Sequence, residues 1–216
     1  CSPHNPVGRV WTENELDKII EICKRYNVFI VSDEIHSDFV WKGNHICLLK
    51  YENYQNNIIL CTAPTKTFNL AGLQVSNIFI PNAEVRQKFQ LELWNTGYSL
   101  INIMGLVACQ SAYEKGQKWL DELRDYLLEN INYVDTFLKE NLPKIKLIYP
   151  EGTYLLWLDF NGVNLSDDRI EELMLNEAKL WLDNGKMFGE TGKEFQRLNI
   201  AVPRRKLKYA LENLKR

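Results

Sequence analysis

Apolar positions change their spacing several times along this chain. Across residues 12–26 they fall at Leu16, Ile19, Ile20 and Cys23, the three-and-four spacing of one helix face. Thr12 leads into the run and Glu15 follows three residues later, a pairing that closes a helix N-terminus with reciprocal hydrogen bonds. The spacing then collapses. Val28-Phe29-Ile30-Val31 is continuous, short and β-branched, and predicts a strand buried on both faces. Ile58-Ile59-Leu60-Cys61 predicts a second such strand, and residues 75–80, closed by Pro81-Asn82, a third. Helix, apolar strand and loop in repetition predict an α/β fold with a mainly parallel sheet.

From Ala83 onward the period is helical, at residues 84–94, 101–113 and 119–142, the last run stopping before Pro143. Residues 147–149 and 154–158 return to strand spacing around the turn Pro150-Glu151-Gly152. A helix over 166–182, a Gly-rich connector "NGKMFGETGKEF", a strand at 197–202 and a helix after Pro203 complete the chain. This half reads as a smaller layer of mixed α+β character. The boundary is expected near Gly116, giving a first domain of residues 1–115 and a second of 116–216. No internal repeat, low-complexity tract or flexible linker interrupts either half.

Composition narrows the partners. With 45% hydrophobic and 25% charged residues the chain has the makings of a real core. A net charge of −2 offers no broad attraction for nucleic acid or an anionic membrane, which leaves small molecules as the expected ligands. No apolar run approaches the roughly 20 residues needed to span a bilayer, and neither a signal peptide nor a membrane partner is expected. Five cysteines without a C-x-x-C pair read as thiols of a reducing compartment, so a cytoplasmic location is expected. Histidines at 4, 36 and 45 match no ligand spacing, and even His45 beside Cys47 predicts no metal site. Asn164-Leu165-Ser166 fits a glycosylation acceptor but has no secretory context. The opening Cys1-Ser2-Pro3-His4, without initiator methionine or lead-in, is expected to lie inside a domain.

In open parallel sheets, ligands bind beyond the carboxyl ends of the strands. Three polar clusters fall there: "PHNPVGR" at the start, "SDEIHSD" after Val31 and "TAPTKTFN" after Cys61. Asp33 is the first acid after an apolar strand, placed to meet a cationic heterocycle nitrogen; as a plain alternative, Asp33 or Glu34 caps the following segment. Lys66 stands between Thr65 and Thr67 just past the second strand. An isolated lysine is ordinarily a solvated surface charge. At a strand mouth, partial desolvation and fixed dipoles lower an amine's pKa and make it a nucleophile toward an aldehyde.

These segments together resemble the pyridoxal phosphate enzymes of fold type I, the aminotransferase class I/II superfamily. The resemblance is closest to the carbon–sulfur lyases of the PatB or MalY cystathionine β-lyase type. It is carried by "SPHNPVGRVW", "VSDEIHSDFVW", "APTKTFNLAGLQ", "KWLDELRDYLLENI", "PEGTYLLWLDF" and "FQRLNIAVPR", spread over the chain in the family's order. It implies part of a large, mainly parallel-sheet cofactor domain, lacking its N-terminal part, followed by the small α+β domain. Pyridoxal 5'-phosphate is the implied cofactor. Lys66 would form its Schiff base and later move the substrate Cα proton, Asp33 would pair with the pyridine nitrogen, and Asn5 would hydrogen-bond the ring's phenolic oxygen. His36 stands where many relatives carry tyrosine and the lyase group carries histidine, and is the implied further cofactor contact. Thr65 replaces a phosphate-binding serine, and Gln74 replaces an arginine that many aminotransferases place on the phosphate. Arg197 would clamp the substrate α-carboxylate with its two-pronged fork. The implied reaction is α,β-elimination from a sulfur amino acid to thiol, pyruvate and ammonia, in a homodimer at full length. Transamination on the same scaffold, or a noncatalytic fragment with an incomplete cofactor site, are the alternatives.

Overall fold

A computed structural model describes residues 1–98 and 100–215. They group into two compact units, Cys1–Pro3 with Val10–Asp121, and His4–Arg9 with the chain from Glu122 onward.

The first unit opens with helix α1 (Glu13–Tyr26), where the Glu15 carboxylate accepts the Thr12 backbone N–H at 2.9 Å, as its capping pattern predicts. Leu16 and Ile20 on its inner face pack with Leu48, Tyr54 and Ile58 into a buried cluster. The Tyr54 hydroxyl reaches the carbonyls of Cys23 and Val28 at 2.9 and 2.6 Å, tying the helix exit to the loop before the next strand. Strand β1 covers Ile30–Asp33, two residues later than the apolar run suggests. The cause is the helix end: the Val28 N–H is taken by the Cys23 carbonyl at 2.8 Å, and Asn27 adopts a left-handed conformation.

β1 pairs in parallel with β2 (Ile58–Thr62), Asp33 standing opposite Cys61. The one-turn helix α2 (Pro64–Thr67) follows at once, with Pro64 at its first position, where a missing N–H costs nothing. Strand β3 (Asn77–Phe79) runs antiparallel along the other side of β2, so the sheet order is β1-β2-β3 and the sheet is mixed. The expectation of strands buried on both faces fails for β1: Ile30 is half-buried while Val31 is 63% exposed, because no described element covers that face. Helices α3 (Ala83–Asn95), α4 (Ile103–Lys115) and α5 (Gln117–Asn141) follow, and the change of unit falls within α5. Asn82 and Asn102 cap the first two through their side-chain oxygens.

The second unit is built on an antiparallel sheet of order β4-β5-β7-β6, comprising β4 (Lys146–Ile148), β5 (Leu155–Asp159), β6 (Asp183–Asn184) and β7 (Phe195–Asn199). Leu156 and Leu158 of β5, Ile131 of α5 and Leu207 of the last helix α7 (Arg204–Lys215) are among its fully buried side chains. Helix α6 spans only Asp167–Asn176, not the full predicted run to 182. The chain leaves the helix where Lys179 takes a left-handed φ of 54° and the Leu180 N–H returns to the Met174 carbonyl. β6 lies at the start of the Gly-rich connector, where no apolar alternation announces a strand.

Asp167 anchors that connector. Its carboxylate is almost fully buried and accepts from the Asn184 side chain at 3.0 Å and the Glu194 backbone N–H at 2.9 Å, with the Lys186 ammonium at 3.0 Å. Burial pushes its pKa up, but the hydrogen bonds from Asn184, Lys186 and Glu194 and the Lys186 charge outweigh burial and leave it below 3.8. A depressed folded-state pKa contributes stability that is complete above the ordinary carboxylate range and lost as pH falls through the folded value. We therefore expect Asp167→Asn to destabilise the chain by about 1–3 kcal/mol at neutral pH, the range for a disturbed buried hydrogen-bond set. That gap should close as the pH drops below about 4. Urea unfolding of both proteins across pH 3–7 checks this, and a gap that stays constant would sink it.

Candidate active site

In the second unit the site is assembled around the segment His4–Arg9. This loop closes on itself, with the His4 N–H on the Arg9 carbonyl at 2.7 Å and the Gly8 N–H on the His4 carbonyl at 2.6 Å. It is fastened to the turn before β5 by the Gly8 carbonyl, which accepts from the backbone N–H groups of Glu151 and Gly152, both at 2.8 Å. Gly8 has φ +77°, and a Cβ there would stand 2.8 Å from Cβ of Pro150. Only glycine meets both demands.

So fixed, Asn5 turns its Oδ1 to Arg197, whose Nη1 donates to it at 2.8 Å. Nε and Nη2 of the same guanidinium both donate to Oδ2 of Asp183, at 3.0 and 2.5 Å. The Phe188 ring covers one face of the guanidinium, 5.0 Å from its central carbon. Phe188 packs edge-on against Trp157, which stacks on Phe195. The Tyr154 phenol belongs to the same surroundings: burial pushes its pKa up, and the Arg197 charge pulls it partly back. Beyond β7, buried Asn130 of α5 donates to the carbonyls of Ile200 and Val202 at 3.0 and 3.3 Å, holding the strand's exit. Its Oδ1 accepts from Nε of Arg204.

In the first unit the predicted residues gather at the carboxyl ends of two neighbouring parallel strands. Asp33 ends β1, its Oδ1 accepting the Ile35 N–H at 3.1 Å and its carbonyl accepting from Ser2 at 3.0 Å. The capping alternative is thus realised by one carboxylate oxygen. Thr65 and Lys66 lie on α2, the turn that β2 feeds. The desolvation expected for Lys66 is not found: on α2 its side chain is exposed and has no partner among the described residues. His36 is buried, and its carbonyl accepts the Phe39 N–H. Gln74 sits in a left-handed turn, φ +51°. Sequence reading gave no role to Thr67, whose buried hydroxyl donates to Asp38 at 2.6 Å, and named Glu34 only as a possible cap. The buried Glu34 carboxylate accepts from Ser32 and the Leu48 N–H, both at 2.9 Å, and lies 2.6 Å from Nε2 of His45. It passed over Asp183 as well, since nothing in "LDNG" marks an acid that faces an arginine across a sheet. Among the described residues no cluster of acids, histidines and cysteines is arranged to hold a metal ion.

The two units share the fold of the fold type I aminotransferase-like proteins, and comparison with known proteins gives the family. The chain matches aminotransferase class I and II over residues 1–214, and it belongs to that family. It is 40% identical to cystathionine beta-lyase PatB of Bacillus subtilis, over all of this chain and 56% of the relative. It is 35% identical to protein MalY of Escherichia coli, over 99% of this chain and 55% of the relative. The crystal structure of cystalysin from Treponema denticola, which contains pyridoxal 5'-phosphate, superposes with a TM-score of 0.96 at 38% identity, covering all of this chain and 55% of that one. The chain therefore spans about half the length of the curated relatives it matches.

Gly8→Ala should cost about 1–3 kcal/mol, because the methyl group meets Pro150 and the left-handed backbone is strained at once. The measurement is the urea midpoint of the variant against the parent chain; coincident curves would show that the loop adapts and does not hold Asn5 in place.

Proposed function

We propose that this chain supplies the lysine, the ring-nitrogen partner and the carboxylate clamp of a pyridoxal phosphate-dependent carbon–sulfur β-lyase acting on a sulfur amino acid. The observation that carries the reading is the Asn5–Arg197 contact in the second unit. It presents a guanidinium to an α-carboxylate and leaves the Asn5 amide nitrogen able to donate to a phenolic oxygen. The first unit adds an exposed amine, Lys66, and an exposed carboxylate, Asp33, at adjacent strand ends. This donor set fits the cofactor: an amine for its aldehyde, an anion for its protonated ring nitrogen and a hydroxyl, Thr65, for its phosphate. Bound there, the cofactor supplies an electron sink for the carbon that loses its proton.

The protein's own groups do the rest. Arg197 holds the substrate carboxylate and sets its orientation. Lys66 would hold the cofactor through its amine, and its free amine would be the base that takes the Cα proton and returns a proton to the leaving group. Asp33 keeps the ring nitrogen protonated by its charge, and His36 shapes the wall beside it. The thiolate leaves from Cβ and takes up a proton, and the unsaturated amino acid left behind, once released, is hydrolysed by one water to pyruvate and ammonia. Relatives at 40% and 33% identity that are named cystathionine beta-lyase support elimination over transamination.

We also propose a homodimer at full length and a cytoplasmic setting. The exposed apolar residues Ile103, Met104, Leu106 and Val107 on α4 support the first, and five free thiols support the second. No helix among the described residues is long and apolar enough to cross a membrane.

Incubation with pyridoxal phosphate, borohydride reduction and peptide mapping test the reading directly. The cofactor should be fixed on Lys66, and Lys66→Ala should abolish the fixed product; labelling that persists in the variant would sink the assignment. In the full-length protein, pyruvate should form from cystathionine without any keto acid, whereas a strict keto-acid requirement would identify a transaminase.

A further inference from the structure

Arg197, the proposed carboxylate clamp, already has a carboxylate on it. The register of β6 and β7 sets Asp183 directly opposite Arg197, so the pairing is built into the backbone of the sheet. Of the five guanidinium N–H groups, Asp183 takes one from Nε and one from Nη2, and Asn5 takes one from Nη1. The fork edge formed by Nε and Nη2, the edge best shaped for a carboxylate, is the edge Asp183 holds.

It holds that edge imperfectly. Both donors converge on the single oxygen Oδ2, whereas a free carboxylate in the fork-on-fork arrangement offers one oxygen to each. The two partners also differ in their access to water. The Arg197 side chain is 18% exposed and that of Asp183 41%, so rotation about its side-chain bonds can carry the acid outward without moving the strand. Releasing a half-exposed carboxylate to solvent costs little, while leaving the arginine unpaired costs more.

We propose that Asp183 is a resident competitor: it neutralises Arg197 when no ligand is bound and is displaced by the incoming α-carboxylate, so that it sets how tightly amino acids bind. Asp183 acts through Arg197 and touches no reacting atom, which makes it a positioning residue that tunes affinity. This inference rests on Arg197 being the carboxylate clamp.

Propionate, a carboxylate with no amine, is the probe, titrated into the 216-residue chain while the Arg197 Nε–H resonance is followed by NMR. Asp183→Ala should tighten propionate about three- to tenfold, the scale of a partly exposed ion pair. Asp183→Asn keeps the shape and one acceptor oxygen without the charge, so it should fall between the two and guards against a folding failure of the alanine variant. Unchanged or weaker binding in both variants would overturn the proposal, because it would mean that Asp183 orders the arginine for its ligand. Arg197→Ala separates the layers: loss of propionate binding upholds the clamp, whatever Asp183 does. Binding that persists in Arg197→Ala would overturn the clamp and this inference with it.

Discussion

The second unit is organised around one charge that cannot be left alone. The Arg197 guanidinium is mostly withdrawn from water, and such a group must find acceptors or give back much of what folding gains. Its acceptors come from two places far apart in sequence, Asn5 in the first residues and Asp183 just before the connector, while Phe188 covers one face. Each in turn needs an anchor. Gly8 fastens the loop that carries Asn5, and Asp167 fastens Asn184 beside Asp183. The close approach of Gly185 and Gly192, where any Cβ would strike the opposite backbone, folds the connector that presents Phe188. The arrangement of this unit can be read outward from the guanidinium.

The first unit solves the opposite problem, keeping reactive groups accessible at the end of a sheet. Alternation along a strand sends neighbours to opposite sides, so Asp33 is exposed while Glu34 is buried. The buried member does the structural work: the Glu34 carboxylate gathers Ser32, the Leu48 N–H and His45, tying the strand end to the loop that follows. Thr67 and Asp38 make a similar tie beneath α2, which leaves Lys66 outside. In both pairs, a satisfied inner polar residue fixes the backbone from which an outer one projects.

This division explains what could be read from sequence. α1 was legible to within a residue because its capping pair and apolar face are local features. The positions of Lys66 and Asp33 at strand ends were legible because they follow apolar runs, and a strand end is a local feature too. The start of β1 was displaced because the helix exit claimed Val28, a competition between two backbone ladders that no window of residues displays. α6 was overextended because Lys179 takes a left-handed conformation with no glycine to mark it. β6 and Asp183 were invisible because their meaning lies in cross-strand register, and register is a property of two distant segments at once. Resemblance supplied the role proposed for Arg197, but the acid facing it is found only in the assembled sheet.

Charge balance connects the clamp to the kind of ligand it suits. The whole chain carries a net charge of only −2, and the Arg197–Asp183 pair is neutral in itself, so no strong field draws anions from a distance. Recognition must then be short-ranged and directional, which favours arginine over lysine: a planar fork distinguishes a well-aligned carboxylate from a misaligned one, while an ammonium responds chiefly to distance. A ligand carrying a second anionic group near the clamp would meet the displaced Asp183 carboxylate as a repulsive neighbour. A zwitterionic amino acid brings one carboxylate to exchange for another and adds no net charge. If Arg197 is the clamp we propose, a neutral pair with a weakly chelated resident acid is suited to selecting amino acids by the placement of one carboxylate.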